Sequence, residues 1–178
     1  MARISYLEED KHPELAETIA IIRSGRRGSL LNLYKLLLHS PALALSWLDL
    51  ISTARFKSAL DGRLREIVII RVGYLNATEY VVKQHVPQLS VPEGLSEAES
   101  DSLADWRKSE FFDARERAAL AYADAMTSDI AVPDAVFEPL RSHFSERQII
   151  ELTVLIGIYN MHTRVFRALR IDPEAHHK

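Results

Sequence analysis

Three Ser/Asp-x-x-Glu/Gln patterns punctuate this chain: Ser96 with Glu99, Asp113 with Glu116, and Ser145 with Gln148. In that spacing the first side chain takes up a backbone N–H one turn on, and the second reaches back to the residue that caps the helix. Each pattern therefore marks a helix start. Pro13 and Pro41 sit where a first helical turn would begin, Pro41 directly after Ser40, and proline there forfeits no helical hydrogen bond. Hairpin signals are scarce. The one Asp-Gly step, Asp61-Gly62, precedes a long apolar run and reads as a helix start rather than a turn between strands. Gly25, Asn76 and Gly94 supply stops. The pattern predicts helices near 13–24, 29–38, 41–57, 62–75, 78–89, 96–108, 113–127, 133–143 and 146–169, an all-α bundle.

A chain of 178 residues with no linker-like tract suits a single domain spanning 1–178. Its formal net charge of −3 argues against a nucleic-acid partner. The one basic cluster, Arg23, Arg26 and Arg27 around Gly25, reads as a solvated helix end, where cations suit the dipole. There is no cysteine, which removes disulfides, thiolate metal sites and thiol nucleophiles together. Residues 1–10 carry Glu8, Glu9 and Asp10 and no apolar core, so no secretion signal is visible. The apolar stretches 67–75 and 152–159 are too short to span a bilayer. A cytoplasmic protein without a membrane partner is expected. No His-Glu-x-x-His pair, glycine-rich phosphate loop or nucleophile elbow is present, so neither metal nor cofactor is expected. His176 and His177, beside Lys178, read as an exposed tail. Trp47 and Trp106 read as core or interface aromatics.

Two groups invite chemistry. Glu66 stands one turn into a helix whose next residues, Ile67 to Ile70, are all apolar, so its carboxylate is expected to be buried and in need of a partner. Arg63, Arg65 and Arg71 are near enough in sequence to compete for it. His85 lies on the following helix, beyond a tight turn near Asn76 to Thr78 that could bring it against Glu66. Such a pair fixes the imidazole tautomer and tunes it for proton transfer near neutrality. On the last helix, Tyr159, Asn160, His162 and Arg164 form a polar cluster after an apolar turn. This cluster reads equally well as inter-helix hydrogen bonding. A weak internal echo links Arg65-Glu66-Ile67-Val68-Ile69-Ile70 to Ile150-Glu151-Leu152-Thr153-Val154-Leu155, consistent with two weakly repeated halves.

The stretch 63–86, RLREIVIIRVGYLNATEYVVKQHV, resembles the core motif of the carboxymuconolactone decarboxylase and AhpD-like superfamily. That motif runs from a helix glutamate through an apolar helix and a turn to a glutamate-tyrosine pair and a histidine. RERAALAYADAM and FSERQIIELTVLIGIYNMHTRV are similar to the second half of longer members. The resemblance covers about residues 40 to 170 and leaves 1–39 as an N-terminal helical extension. It implies an AhpD-like multi-helix bundle, a homo-oligomer of trimer, hexamer or dimer type, and a cavity near Glu66 and His85 that 159–164 help to line. The Cys-x-x-Cys pair of AhpD-type peroxidases falls here on Thr78 and Val81, which cannot attack a hydroperoxide or form a disulfide. The Glu-Trp that precedes the histidine in decarboxylase-like members is likewise replaced, by Val81 and Val82. The scaffold carries over; the named decarboxylation does not.

The reading that follows is a cofactor-independent acid–base enzyme acting on a small carboxylate or lactone-type molecule, of lyase or isomerase type. His85 would move the proton and Glu66 would orient it. Tyr80, Lys83, Arg71, Tyr159, Asn160 and Arg164 are the candidate substrate contacts. The alternative is a non-catalytic member that binds a ligand or partner and uses the pair structurally. A polar-lined cavity beside the pair favours the first reading, and its absence the second. The apolar faces of 41–57 and 146–169 predict self-association.

Overall fold

A computed structural model of the chain describes residues 1–174, apart from the side chains of Glu79, Pro87 and Gln88; His176 and His177 lie outside it. All regular structure among the described residues is helical, with no strand. The helices are α1 (Ala16–Gly25), α2 (Asn32–Leu37), α3 (Pro41–Phe56), α4 (Gly62–Leu75), α5 (Glu79–His85), α6 (Glu97–Ser102), α7 (Ala114–Asp124), α8 (Asp134–Arg141) and α9 (Glu146–Leu169). All three capping boxes form, on Ser96, Asp113 and Ser145. The Asp61 side chain accepts from the Leu64 N–H, so Asp61-Gly62 does begin a helix.

Two predicted helices end differently. α5 passes into a wide π turn over Val86–Ser90, and α7 into another over Ala125–Asp129. In the first, Pro87 has no N–H to give to the turn before it, so the regular ladder stops there.

α4 packs against α5, α7 and α9. Its apolar run serves two cores at once. Leu64, Val68, Ile69 and Val72 join the main cluster, whereas Ile67 and Ile70 join a second one with Leu95, Leu103, Trp106, Phe112 and Leu120. A helix apolar on every side is one packed on every side. Each of these side chains contributes about 1.5–3 kcal/mol by leaving water. Trp47 lies in the main core, and Trp106 in the second.

The N-terminal extension is part of the main core rather than an appendage. Ile19, Ile22, Leu33, Tyr34, Leu36 and Leu37 are buried in it. The extension is also stitched to the far end of the chain, through Arg3 N–H to Leu169 O at 2.9 Å and the Tyr6 hydroxyl to Asp172 at 3.0 Å.

The α4–α5 turn sets up the site. Ala77 adopts φ 47°, a left-handed conformation that disfavours any side chain. Arg167 holds it there, donating to the carbonyls of Asn76 and Ala77, both at 2.8 Å. Gly73 lets α5 come close: a methyl there would lie 3.2 Å from Val81 and 3.3 Å from Val82. The two echoing stretches occupy unlike surroundings, since Glu66 is buried within the bundle, whereas Glu151 caps the Ala59 N–H at 2.7 Å near the surface. No described helix is long and apolar enough to cross a membrane.

Candidate functional site

Because α5 folds back along α4, Glu66 and His85 meet across the helix pair. The Glu66 Oε2 lies 2.5 Å from His85 Nδ1, with Glu66 1% exposed and His85 6% exposed. The other carboxylate oxygen, Oε1, accepts from Arg55 Nη2 at 2.9 Å. Burial alone pushes the Glu66 carboxyl up, but the adjacent His85 and Arg55 more than offset this and hold it below its usual value. An ionised carboxylate is acceptor-only, so Nδ1 carries the shared proton and Nε2 is the nitrogen left for chemistry.

His85 lines a partly open cavity of about 110 Å³ between α2, α3, α5 and α9, with Arg26 from the end of α1. A larger open hollow, about 650 Å³, lies away from the pair between the N-terminal segment, α2 and Glu174. Tyr159 meets the His85 ring edge-on at 5.7 Å and sits 5.5 Å from His162, which stacks on Phe166 at 4.6 Å. Burial raises the Tyr159 hydroxyl to about 12 and, with help from His85, Arg26 and Arg55, lowers His162 to about 3. Both are therefore neutral near pH 7.

Tyr80 and Tyr159, two of the six residues expected as substrate contacts, line this cavity. The Tyr80 hydroxyl bonds Glu174 at 2.5 Å, and burial with that carboxylate holds it well above the usual tyrosine range. The other four lie elsewhere, which corrects the expected grouping. Arg71 is locked onto Asp124 at 2.6 Å and onto the carbonyls of Leu103 and Ala104. Lys83 is exposed beside a separate shallow hollow with Gly73 and Thr78. Asn160 bridges Asn76 and Thr127, and Arg164 bonds Asn160 on the outer face of α9. The helical turn explains the split, because 159, 162 and 166 share a face that 160 and 164 do not.

The partner of Glu66 also differs from expectation. Arg63 pairs with Glu99 and Glu116, and Arg65 binds the Leu60 carbonyl and Glu93. Arg55, from the end of α3, takes the role instead. Arg26 is not a solvated helix end: its Nε donates to the Tyr34 hydroxyl at 3.0 Å and its side chain lines the cavity. Nothing local in the sequence marks Arg26, Tyr34 or Arg55, since each reaches the site from another helix.

Residues 41–125 match the carboxymuconolactone decarboxylase family. An uncharacterized Escherichia coli (strain K12) protein, YnjA, is 32% identical over 75% of this chain and 70% of its own. An Agrobacterium tumefaciens protein of unknown function, named after the antioxidant-defence protein AhpD, superposes with a TM-score of 0.73. It is 30% identical, over 79% of this chain and 96% of its own. A cysteine-to-alanine form of the debrominase Bmp8, in complex with 2,3,4-tribromopyrrole, superposes with a TM-score of 0.81 over 98% and 95% of the two chains. At 21% identity that likeness is one of fold. With its helix order and the Glu66–His85 spacing in place, this cysteine-free chain belongs to the carboxymuconolactone decarboxylase family, within the AhpD-like superfamily.

Proposed function

We propose that the protein is an acid–base enzyme, independent of cofactors, acting on a small carboxylate or lactone-type molecule. The observation that carries this reading is the 2.5 Å Glu66–His85 contact at the edge of a cavity. His85 Nε2 takes a proton from a carbon beside the substrate carbonyl and returns it either to another carbon, which is isomerisation, or to a β-leaving group whose bond to carbon breaks as the double bond forms, which is a lyase step. Glu66 keeps the Nδ1 proton in place and stabilises the imidazolium as it forms. Arg55 keeps Glu66 ionised through the cycle. Thiol chemistry has no residue to perform it, so an alkyl hydroperoxide assay with a dithiol donor is expected to read blank.

The test is solvent deuterium exchange, followed by NMR, across a panel of keto acids, lactones and lactone carboxylates. Exchange at the carbon next to the carbonyl is expected, and it should vanish in His85→Asn. Exchange that persists in that variant would refute the assignment.

We further propose that the working form is a cytoplasmic homo-oligomer. Leu43, Leu50 and Phe56 on α3 are exposed and apolar, as are Ile150, Val154 and Met161 on α9, which α3 contacts. A clean monomer by light scattering at micromolar concentration would contradict this.

A further inference from the structure

We propose that the cavity beside His85 is an anion pocket in which Arg26 and Arg55 hold a small monocarboxylate, with Arg26 conferring the preference for charge. The inference deepens the acid–base reading of the same site and rests on it.

Charge comes first. Two guanidiniums line the cavity, and the nearby carboxylates are already engaged: Glu66 is shared between Arg55 and His85, and Glu174 takes the Tyr80 hydroxyl. Arg26 has no carboxylate within ion-pairing distance among the described residues. Its bonds go to the Tyr34 hydroxyl, the Gly25 carbonyl at 2.9 Å and the Ser52 hydroxyl at 3.2 Å. His162 adds no competing cation, because it is neutral near pH 7. Arg26 is thus the cation at this cavity whose charge no carboxylate of the described residues answers directly.

Hydrogen bonding points the same way. Of the five buried side-chain nitrogens and oxygens without a partner among the described residues, three, Arg26 Nη2, Arg55 Nε and His162 Nδ1, belong to residues lining this cavity; Trp47 Nε1 and Ser58 Oγ do not. Buried polar atoms are almost always satisfied, and charged donors most of all, so exceptions grouped around one cavity mark a place where a ligand completes the set. Two guanidinium N–H groups from different helices match the two oxygens of a carboxylate. Around them Leu33, Tyr159 and Phe166 offer an apolar and aromatic surface suited to a flat ring or short chain. A phosphate would bring more acceptors than these donors can meet. Arg55 then touches the substrate carboxylate on one side and Glu66 on the other, placing the bound anion next to the proton-transfer pair.

Isothermal titration of the full chain with acetate, 2-furoate and benzoate, each against its neutral amide and against inorganic phosphate, tests the proposal. At least one carboxylate should bind ten times or more as tightly as its amide and more tightly than phosphate. Arg26→Gln should erase that preference while leaving the amide affinity alone, and Arg26→Lys should restore part of it. Equal binding of acids and amides, tighter binding of phosphate, or a preference that survives Arg26→Gln would each overturn it. Should Arg26→Gln fail to fold, Arg26→Lys alone decides, because an ammonium cannot keep the Tyr34 and Ser52 bonds that fix the fork and still present the Nη2 N–H, so the preference must fall. His85→Asn separates the two readings: it should abolish deuterium exchange yet keep the acid-over-amide preference. Exchange on neutral lactones with no such preference would sink the anion pocket and leave the acid–base assignment standing. The preference without exchange in the unaltered protein would do the reverse.

Discussion

Two buried ionic groups flank α4, and they are built on opposite principles. On one side Arg71 meets Asp124 through two of its nitrogens and gives its remaining one to the carbonyls of Leu103 and Ala104. Trp106 and Arg107 complete the Asp124 carboxylate at 3.1 and 2.6 Å. On the other side Glu66 is buried more deeply than Asp124 and is also paired, but its neighbours Arg55, Arg26 and His162 each keep a buried nitrogen without a partner. Both groups would look alike to a search for buried charge. What separates them is closure: the first network is saturated and holds helices together, and the second stops short around a hollow. Unmet hydrogen-bonding capacity, rather than burial or pairing, distinguishes the group proposed to be catalytic from the structural one.

The largest expected effect breaks the open group alone. His85→Asn should lower turnover by about 10²- to 10⁴-fold, the usual contribution of a positioned acid–base group, while thermal melting moves little. Cutting the closed group should do the opposite. Arg71→Met leaves Asp124 only Trp106 and Arg107 and strips the Leu103 and Ala104 carbonyls of their donor, which should cost about 1–3 kcal/mol of stability, measured by urea denaturation, with turnover per folded molecule retained. Comparable losses of activity from both substitutions would erase the distinction.

Acid should sharpen it further. The folded-state affinity of Glu66 for a proton is depressed, so the unfolded chain binds that proton more readily. Its contribution to stability is therefore complete above the ordinary carboxylate range and fades as pH falls through the lowered value. Denaturation midpoints from pH 7 to 3 should show a steeper acid fall for the native chain than for Glu66→Gln. The smallest effect concerns the turn that joins the two partners. Ala77→Gly relieves a left-handed side chain and should add about 1 kcal/mol, seen as a higher melting temperature with turnover unchanged.

Much of this was legible in the sequence because its signals are local. A capping box spans four residues, so the starts of α6, α7 and α9 could be placed, and Glu66 and His85 sit on consecutive helices, one turn apart in topology. The π turns were not legible, since a wide turn and an α turn begin with the same residues until a proline or a packing demand intervenes. Arg26, Tyr34 and Arg55 escaped for a different reason. Their meaning depends on where α1, α2 and α3 lie against α5 and α9, and helical periodicity carries no information about that. Asn160 and Arg164 were grouped with Tyr159 by nearness along the chain, although a helix turns by 100° per residue and sends them to another side.

The pair proposed to move the proton, with its arginine, lies within the family-matched segment 41–125, whereas Arg26 and Tyr34 come from the segment before it and Tyr159, His162 and Phe166 from the helix after. On that proposal, reaction and selectivity are encoded in separate stretches of chain that touch only once folded. Swapping residues 16–38 for another sequence with the same apolar spacing would change which molecule is admitted without rewriting what is done to it, so this scaffold can acquire new clients by altering its flanks.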